Sequence, residues 1–262
     1  MGHERIGLLP KSKKWRKIVE EIAHFSANSG SIAQIAEETT KNVRTKFKYI
    51  SSDPGVIAAF KYLILLSFSS SQKDPSDFLK KNEINLPSDF HIFDLTHSLR
   101  EYVAQTEQSK EYSKFAVQAM IDTIAEWSKR NQLQQTLIFD SNPNSFEIWR
   151  KAANGAGFCE LSRLFFGKFT ERYLKYFLER EASSNISSMS ARNQFNVELE
   201  MHIDKISQHA FETALITQSY SAGWFNNHIR SGVPTDDKIK DFLSFAFHKI
   251  NSDLIREEKV EQ

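Results

Sequence analysis

Cysteine is almost missing from this chain of 262 residues: Cys159 stands alone. A single thiol excludes an intramolecular disulfide and a four-cysteine zinc site, so nothing calls for an oxidising compartment and a cytoplasmic location is expected. Charge of one sign is missing too. The formal net charge is +1, so a polyanionic partner is not implied by the molecule as a whole and would need a local cluster. The N-terminus lacks the charged, apolar and small-residue order of a signal peptide. No membrane span is expected: the most apolar run, residues 56–68, carries Lys61 in its middle and falls short of the roughly 18 to 20 apolar residues a span needs. There is neither a repeat at a solenoid period nor a heptad of coiled-coil length.

What the chain has is apolar and aromatic side chains, 40% and 12% of residues, which excludes general disorder. They concentrate in residues 158–178, where Leu161, Phe165, Phe169, Tyr173 and Tyr176 recur every three or four positions on one helical face. Phe166, Leu174, Phe177 and Leu178 widen that face beyond a single stripe. Each ring buries roughly 150 to 250 Å², and only surrounding helices could cover so many. The expectation is an all-α, irregular multi-helix bundle with this segment as its central buried helix.

Helices are predicted over about 15–25, 31–49, 56–68, 76–82, 90–106, 111–131, from 146, and over 238–250, with residues 136–140 as a short extended piece. Residues 182–190 are serine-rich and read as a connection. Residues 190–228 read either as one very long helix or as two with a bend near Gly223. Asp140-Ser-Asn-Pro-Asn-Ser145 resists continuing any element. It divides the chain into residues 1–140, an N-terminal lobe with a basic arm, and 145–262, a C-terminal lobe around the aromatic helix, unless both form one domain.

Two regions are candidates for binding. Residues 1–48 hold ten Lys or Arg against five Asp or Glu, a local excess of +5. Lys11, Lys13, Lys14, Arg16, Lys17, Lys41, Arg44, Lys46 and Lys48, with Trp15 among them, combine phosphate-neutralising charge with a ring on which a base could stack. Residues 31–47 also resemble a helix-turn-helix, with Ala33, Ala36 and Val43 near its small and aliphatic positions, although Glu37 stands where the turn glycine belongs. The second region is the opening arm, where His3, Glu4, Arg5, Leu8 and Leu9, punctuated by Gly7 and Pro10, suit a segment docked on a partner. That opening, continued by Lys11-Ser-Lys-Lys-Trp15, resembles the start of uncharacterised bacterial proteins associated with multi-gene defence or mobile-element clusters. The resemblance spans some fifteen residues and implies no chemistry.

Catalytic and metal chemistry find little support. His91 and His97 lie about 240° apart on a helix and do not close round one ion with Asp94. Glu198 and His202 are one turn apart, but His209 is two turns further. Asn154-Gly-Ala-Gly157 lacks the preceding strand and following lysine of a phosphate loop and reads as a helix–helix corner. Cys159 has no activating cation beside it in sequence and reads as a small buried hydrophobe. No cofactor or metal is therefore expected. The leading expectation is a non-catalytic subunit working through contacts with other protein subunits. Nucleic-acid binding by the basic N-terminal helices comes second, and an enzyme whose site is scattered through the sequence third.

Overall fold

The computed structural model describes residues 13–25, 32–87, 90–106, 111–135, 146–212 and 215–256. Among the described residues it is all-α, an irregular bundle with eleven helices and no strand. The helices are α1 (Lys13–Ala23), α2 (Ile32–Ile50), α3 (Pro54–Ser69), α4 (Pro75–Lys81), α5 (Ile92–Ala104), α6 (Glu111–Gln135), α7 (Glu147–Arg150), α8 (Gly155–Asn185), α9 (Met189–Glu212), α10 (Leu215–Ser231) and α11 (Asp236–Arg256). A 3₁₀ turn, Lys151–Ala153, joins α7 to α8. The expected extended piece at 136–140, the proposed boundary at 140–145 and the N-terminal arm lie outside the described residues.

Local chemistry explains where the helices begin. Asp53 accepts hydrogen bonds from the backbone N–H groups of Gly55 and Val56 at 2.9 and 3.2 Å, and Pro54 occupies the first helical position, where its missing N–H costs nothing. Asp74 and Pro75 repeat that arrangement at α4. At α5 the strand-like alternation of Phe90 and Ile92 loses to a cap: the His91 N–H donates to Asp94 Oδ2 at 2.7 Å, and the helix follows. Gly232, at φ +107°, ends α10 in a conformation that favours glycine. Asp236 and Asp237 then place negative charge on the first turn of α11.

α8 is the axis of the molecule. Phe158, Phe165, Phe166, Phe169 and Phe177 are all fully buried, and rings arrive against them from α3, α10 and α11. Phe60 of α3 lies 5.3 Å from Phe165 and 5.4 Å from Phe242 of α11. Phe225 of α10 stacks on Phe158 at 4.4 Å, and Phe247 of α11 meets Phe169 at 4.9 Å. α3 is apolar all round, as a helix with no solvent face must be, and Lys61 escapes from it to pair with Asp236 at 2.7 Å. A single buried cluster holds Trp15, Phe60, Leu99, Phe169 and Ile250 together, so helices on both sides of 140–145 share one core. No described helix is long and apolar enough to cross a membrane.

Two boundaries differ from the sequence reading. The serine-rich segment is mostly helix: α8 continues to Asn185 and only residues 186–188 connect it to α9. The Ser184 hydroxyl donates to the Arg180 carbonyl at 3.0 Å and the Asn185 amide to Glu181 O at 2.8 Å, so these polar side chains turn back on the helix instead of interrupting it. The bend expected near Gly223 is not there: α10 runs unbroken through it, and residues 213–214, between α9 and α10, lie outside the described residues.

Candidate functional site

α1 presents its cations to solvent. Lys13, Lys14, Arg16 and Lys17 are exposed, while Trp15, Ile18 and Ile22 are buried beneath them. Trp15 corrects the expectation of a stacking ring on the basic surface. It is 4% exposed, its ring lies 6.3 Å from Phe177, and its indole nitrogen donates to Glu181 Oε1 at 3.4 Å. A base has no access to it. Lys41 is also set apart, because it pairs with Glu37, which is buried, and with Glu38 at 3.1 Å. The hydrogen bond to Glu37 is the main cause of a Lys41 pKa raised far above the ordinary value of 10.5. Lys11 and the arm residues His3, Glu4, Arg5, Leu8 and Leu9 lie outside the described residues, as do the side chains of Arg44, Lys46 and Lys48.

The helix-turn-helix resemblance does not survive. Residues 32–50 form one continuous helix with no turn at Glu37; the Thr39 and Thr40 hydroxyls donate to Ile35 O and Ala36 O, each at 2.7 Å, across the point where a turn would fall. His3 and the side chain of His209 lie outside the described residues. His97 faces Glu101 at 3.3 Å on the surface, and among the described residues no group of His, Cys, Asp or Glu could hold a metal ion. Asn154 caps α8 by accepting from the Gly157 N–H at 3.0 Å. The two glycines permit close packing: a Cβ at Gly157 would lie 1.8 Å from the Lys151 carbonyl oxygen, and one at Gly155 2.8 Å from Ala222 Cβ. Asn154–Gly157 is thus a packed corner. Cys159 is buried, 6% exposed.

A feature that sequence reasoning missed lies along the outward strip of α8. There, α6 and α9 stand apart enough to leave a groove of about 420 Å³. Leu164, Gly167 and Lys168 come from α8, Glu126 and Arg130 from α6, and Val197, Glu200, Met201, Ile203 and Asp204 from α9. Ion pairs lace it. Arg130 bonds Glu126 at 2.8 Å and Glu160 at 3.2 Å; Lys168 reaches Glu171 at 3.6 Å and Glu200 at 3.5 Å; Arg163 reaches Asp204 at 3.1 Å. The Arg130 guanidinium holds the Glu126 carboxyl below its ordinary value of 4.5 against an opposing push from burial. Burial pushes the Lys168 ammonium down, and Glu171 and Glu200 outweigh it, so its pKa stands above 10.5.

Among the charged side chains at the edge of this groove, α9 also holds two apolar ones in solvent. Val197 and Met201 are 54% and 59% exposed and sit one turn apart on α9, and Met189 on the same helix is 69% exposed. α9 buries another face through Phe195, Leu199 and Ile203, the last of which also reaches the groove, with Phe195 meeting Phe25 at 5.1 Å. It is therefore apolar on two sides, of which the fold uses one. The signal was present as a second stripe, Val197 and Met201, offset from Phe195, Leu199 and Ile203. No protein family, curated protein or solved structure matches the chain.

Proposed function

We propose that the chain is a non-catalytic helical subunit that works through protein contacts in a bacterial cytoplasmic complex, of the multi-gene defence kind to which its opening residues point. The observation that carries this reading is the outer face of α9, where Val197 and Met201 hold apolar surface in water beside a groove. Two neighbouring apolar side chains held in water beside a groove are what supports reading this face as a contact surface. The test is a photo-crosslinking residue at position 201 in cells expressing the neighbouring genes. A discrete adduct with one neighbour's product, lost when Val197→Glu is added, is expected. A chain that stays uncrosslinked in those cells overturns the reading.

A second reading rests on α1, whose exposed face carries Lys13, Lys14, Arg16 and Lys17 with Glu20 beside them. Four cations on a helix pinned from below by Trp15 suit a phosphate backbone. Binding to mixed duplex and single-stranded oligonucleotides would then fall steeply with salt, and Lys13→Gln with Lys14→Gln and Lys17→Gln would weaken it for every sequence. Absence of binding at low salt removes this reading.

A further inference from the structure

We propose that Asn154 and Gly155 form a site of spontaneous succinimide chemistry that the folded corner holds in check, so that opening of the α8 N-terminus converts Asn154 irreversibly to aspartate or isoaspartate. The reactants are one backbone nitrogen, one side-chain amide and water.

The pair is the one Asn-Gly step in the chain. Glycine has no Cβ to shield its nitrogen, and Gly155 is the first residue of α8, so the helix offers its N–H no acceptor. Asn154 is exposed, which gives water access to the product. When the Gly155 nitrogen attacks Asn154 Cγ, an N–C bond forms, the Cγ–Nδ2 bond breaks, and the nitrogen's proton leaves with the amide as ammonia. Water then opens the five-membered imide. Breaking the new N–Cγ bond gives aspartate. Breaking the original peptide bond instead gives isoaspartate, whose main chain runs through Cβ and Cγ.

The folded corner restrains the first step. Asn154 Oδ1 accepts from the Gly157 N–H at 3.0 Å, and Nδ2 donates to the Lys151 carbonyl at 3.0 Å, so Cγ reaches the Gly155 nitrogen only after both bonds part. The same packing favours both residues of the labile pair. A Cβ at Gly155 would lie 2.8 Å from Ala222 Cβ, which excludes a bulkier and less reactive neighbour. Aspartate at 154 could still accept from Gly157, but it would set a carboxylate oxygen against the Lys151 carbonyl. Isoaspartate lengthens the main chain by one carbon, where a Cβ at Gly157 would already lie 1.8 Å from the Lys151 carbonyl oxygen. It cannot rebuild the corner, and the 3₁₀ turn separates from the start of α8.

The test ages the natural full chain in mildly alkaline buffer, folded and in denaturing urea, with conversion mapped by peptide mass spectrometry and isoaspartate counted by enzymatic methylation. In urea, residue 154 is expected to react ahead of the other asparagines. In the folded chain its conversion should be at least about tenfold slower, because only the opened fraction reacts. Sub-denaturing urea or Gly157→Ala should speed it severalfold. Asn154→Ser, which keeps a capping oxygen, should fold and yield no product at this position. The isolated isoaspartate form should exchange the Phe158 amide, which donates to Asn154 O at 2.9 Å, faster than the natural protein does. Equal rates in the folded and unfolded chain, or a folded-state rate that neither urea nor Gly157→Ala raises, would show that the corner protects nothing. Absence of product at 154 in urea would remove the site, and unchanged Phe158 exchange would remove its effect on α8; each of these overturns the proposal.

Discussion

Trp15 and Glu181 are 166 residues apart in sequence and joined by a hydrogen bond of 3.4 Å from the indole nitrogen. The contact docks α1 against the far end of α8, with the Trp15 ring edge-on to Phe177. It also decides what the N-terminal cations are: a solvent face held at fixed orientation by a buried tryptophan.

Trp15→Ala should therefore cost about 3–5 kcal/mol, the usual range for deleting a buried tryptophan. Trp15→Phe keeps a ring against Phe177 and loses the hydrogen bond, so it should cost distinctly less. Denaturant midpoints for the two variants check this, with amide exchange in α1 as the local readout. A loss under about 1 kcal/mol for Trp15→Ala would mean that α1 is not anchored through this side chain.

Glycine should matter unequally at two helical positions. A Cβ at Gly157 would sit 1.8 Å from the Lys151 carbonyl oxygen, whereas at Gly223 it meets no described heavy atom within 4 Å. Gly157→Ala forces the 3₁₀ turn and α8 apart and is expected to destabilise by about 1–3 kcal/mol. Gly223→Ala removes backbone freedom from the unfolded chain without a clash and should stabilise by about 0.5–1 kcal/mol. Thermal melts of the pair test it, and equal shifts would contradict the packing at the corner.

Phe169 has no exposed surface and packs on Phe247 at 4.9 Å and Phe165 at 6.2 Å. Phe169→Asp would bury a carboxylate with no partner, at a cost of several kcal/mol that rivals the stability of a whole domain. Loss of the cooperative melt by circular dichroism is expected. A folded, fully helical Phe169→Asp protein would show that the aromatic stripe of α8 is not core.

The same stripe shows why the fold was readable and the site was not. Leu161, Phe165, Phe169 and Tyr173 repeat within one helix, so spacing alone reveals the buried face, and Asp53-Pro-Gly55 marks a helix start by its own chemistry. Glu126, Lys168 and Glu200 meet from α6, α8 and α9, and no spacing rule links three helices. Trp15 shows a second limit: a tryptophan among lysines reads equally as a stacking platform or as an anchor, and only Phe177 and Glu181, far along the chain, decide. Gly223 shows a third, since a helix already packed against its neighbours tolerates a glycine that propensity marks as a weak point. The Val197 and Met201 stripe was visible in principle but overlaps the buried Phe195, Leu199 and Ile203 pattern of the same helix.

The Glu126–Arg130 pair at the groove gives a pH signature of defined sign. Arg130 lowers the folded-state pKa of Glu126 below its ordinary 4.5, so the folded state binds this proton less readily than the unfolded chain does. Its contribution to stability is then fully present above 4.5 and is lost as pH falls through the lowered folded value. The pair is about a third exposed, with side chains at 34% and 40%, so the contribution stays under about 1 kcal/mol. The stability difference between the natural protein and Glu126→Gln should be constant from neutral pH down to about 5 and should close below that. Denaturant midpoints measured across the range, with each protein its own control for the other carboxylates, read it directly. A gap that persists unchanged to about pH 3 would show that Arg130 does not hold the Glu126 carboxylate.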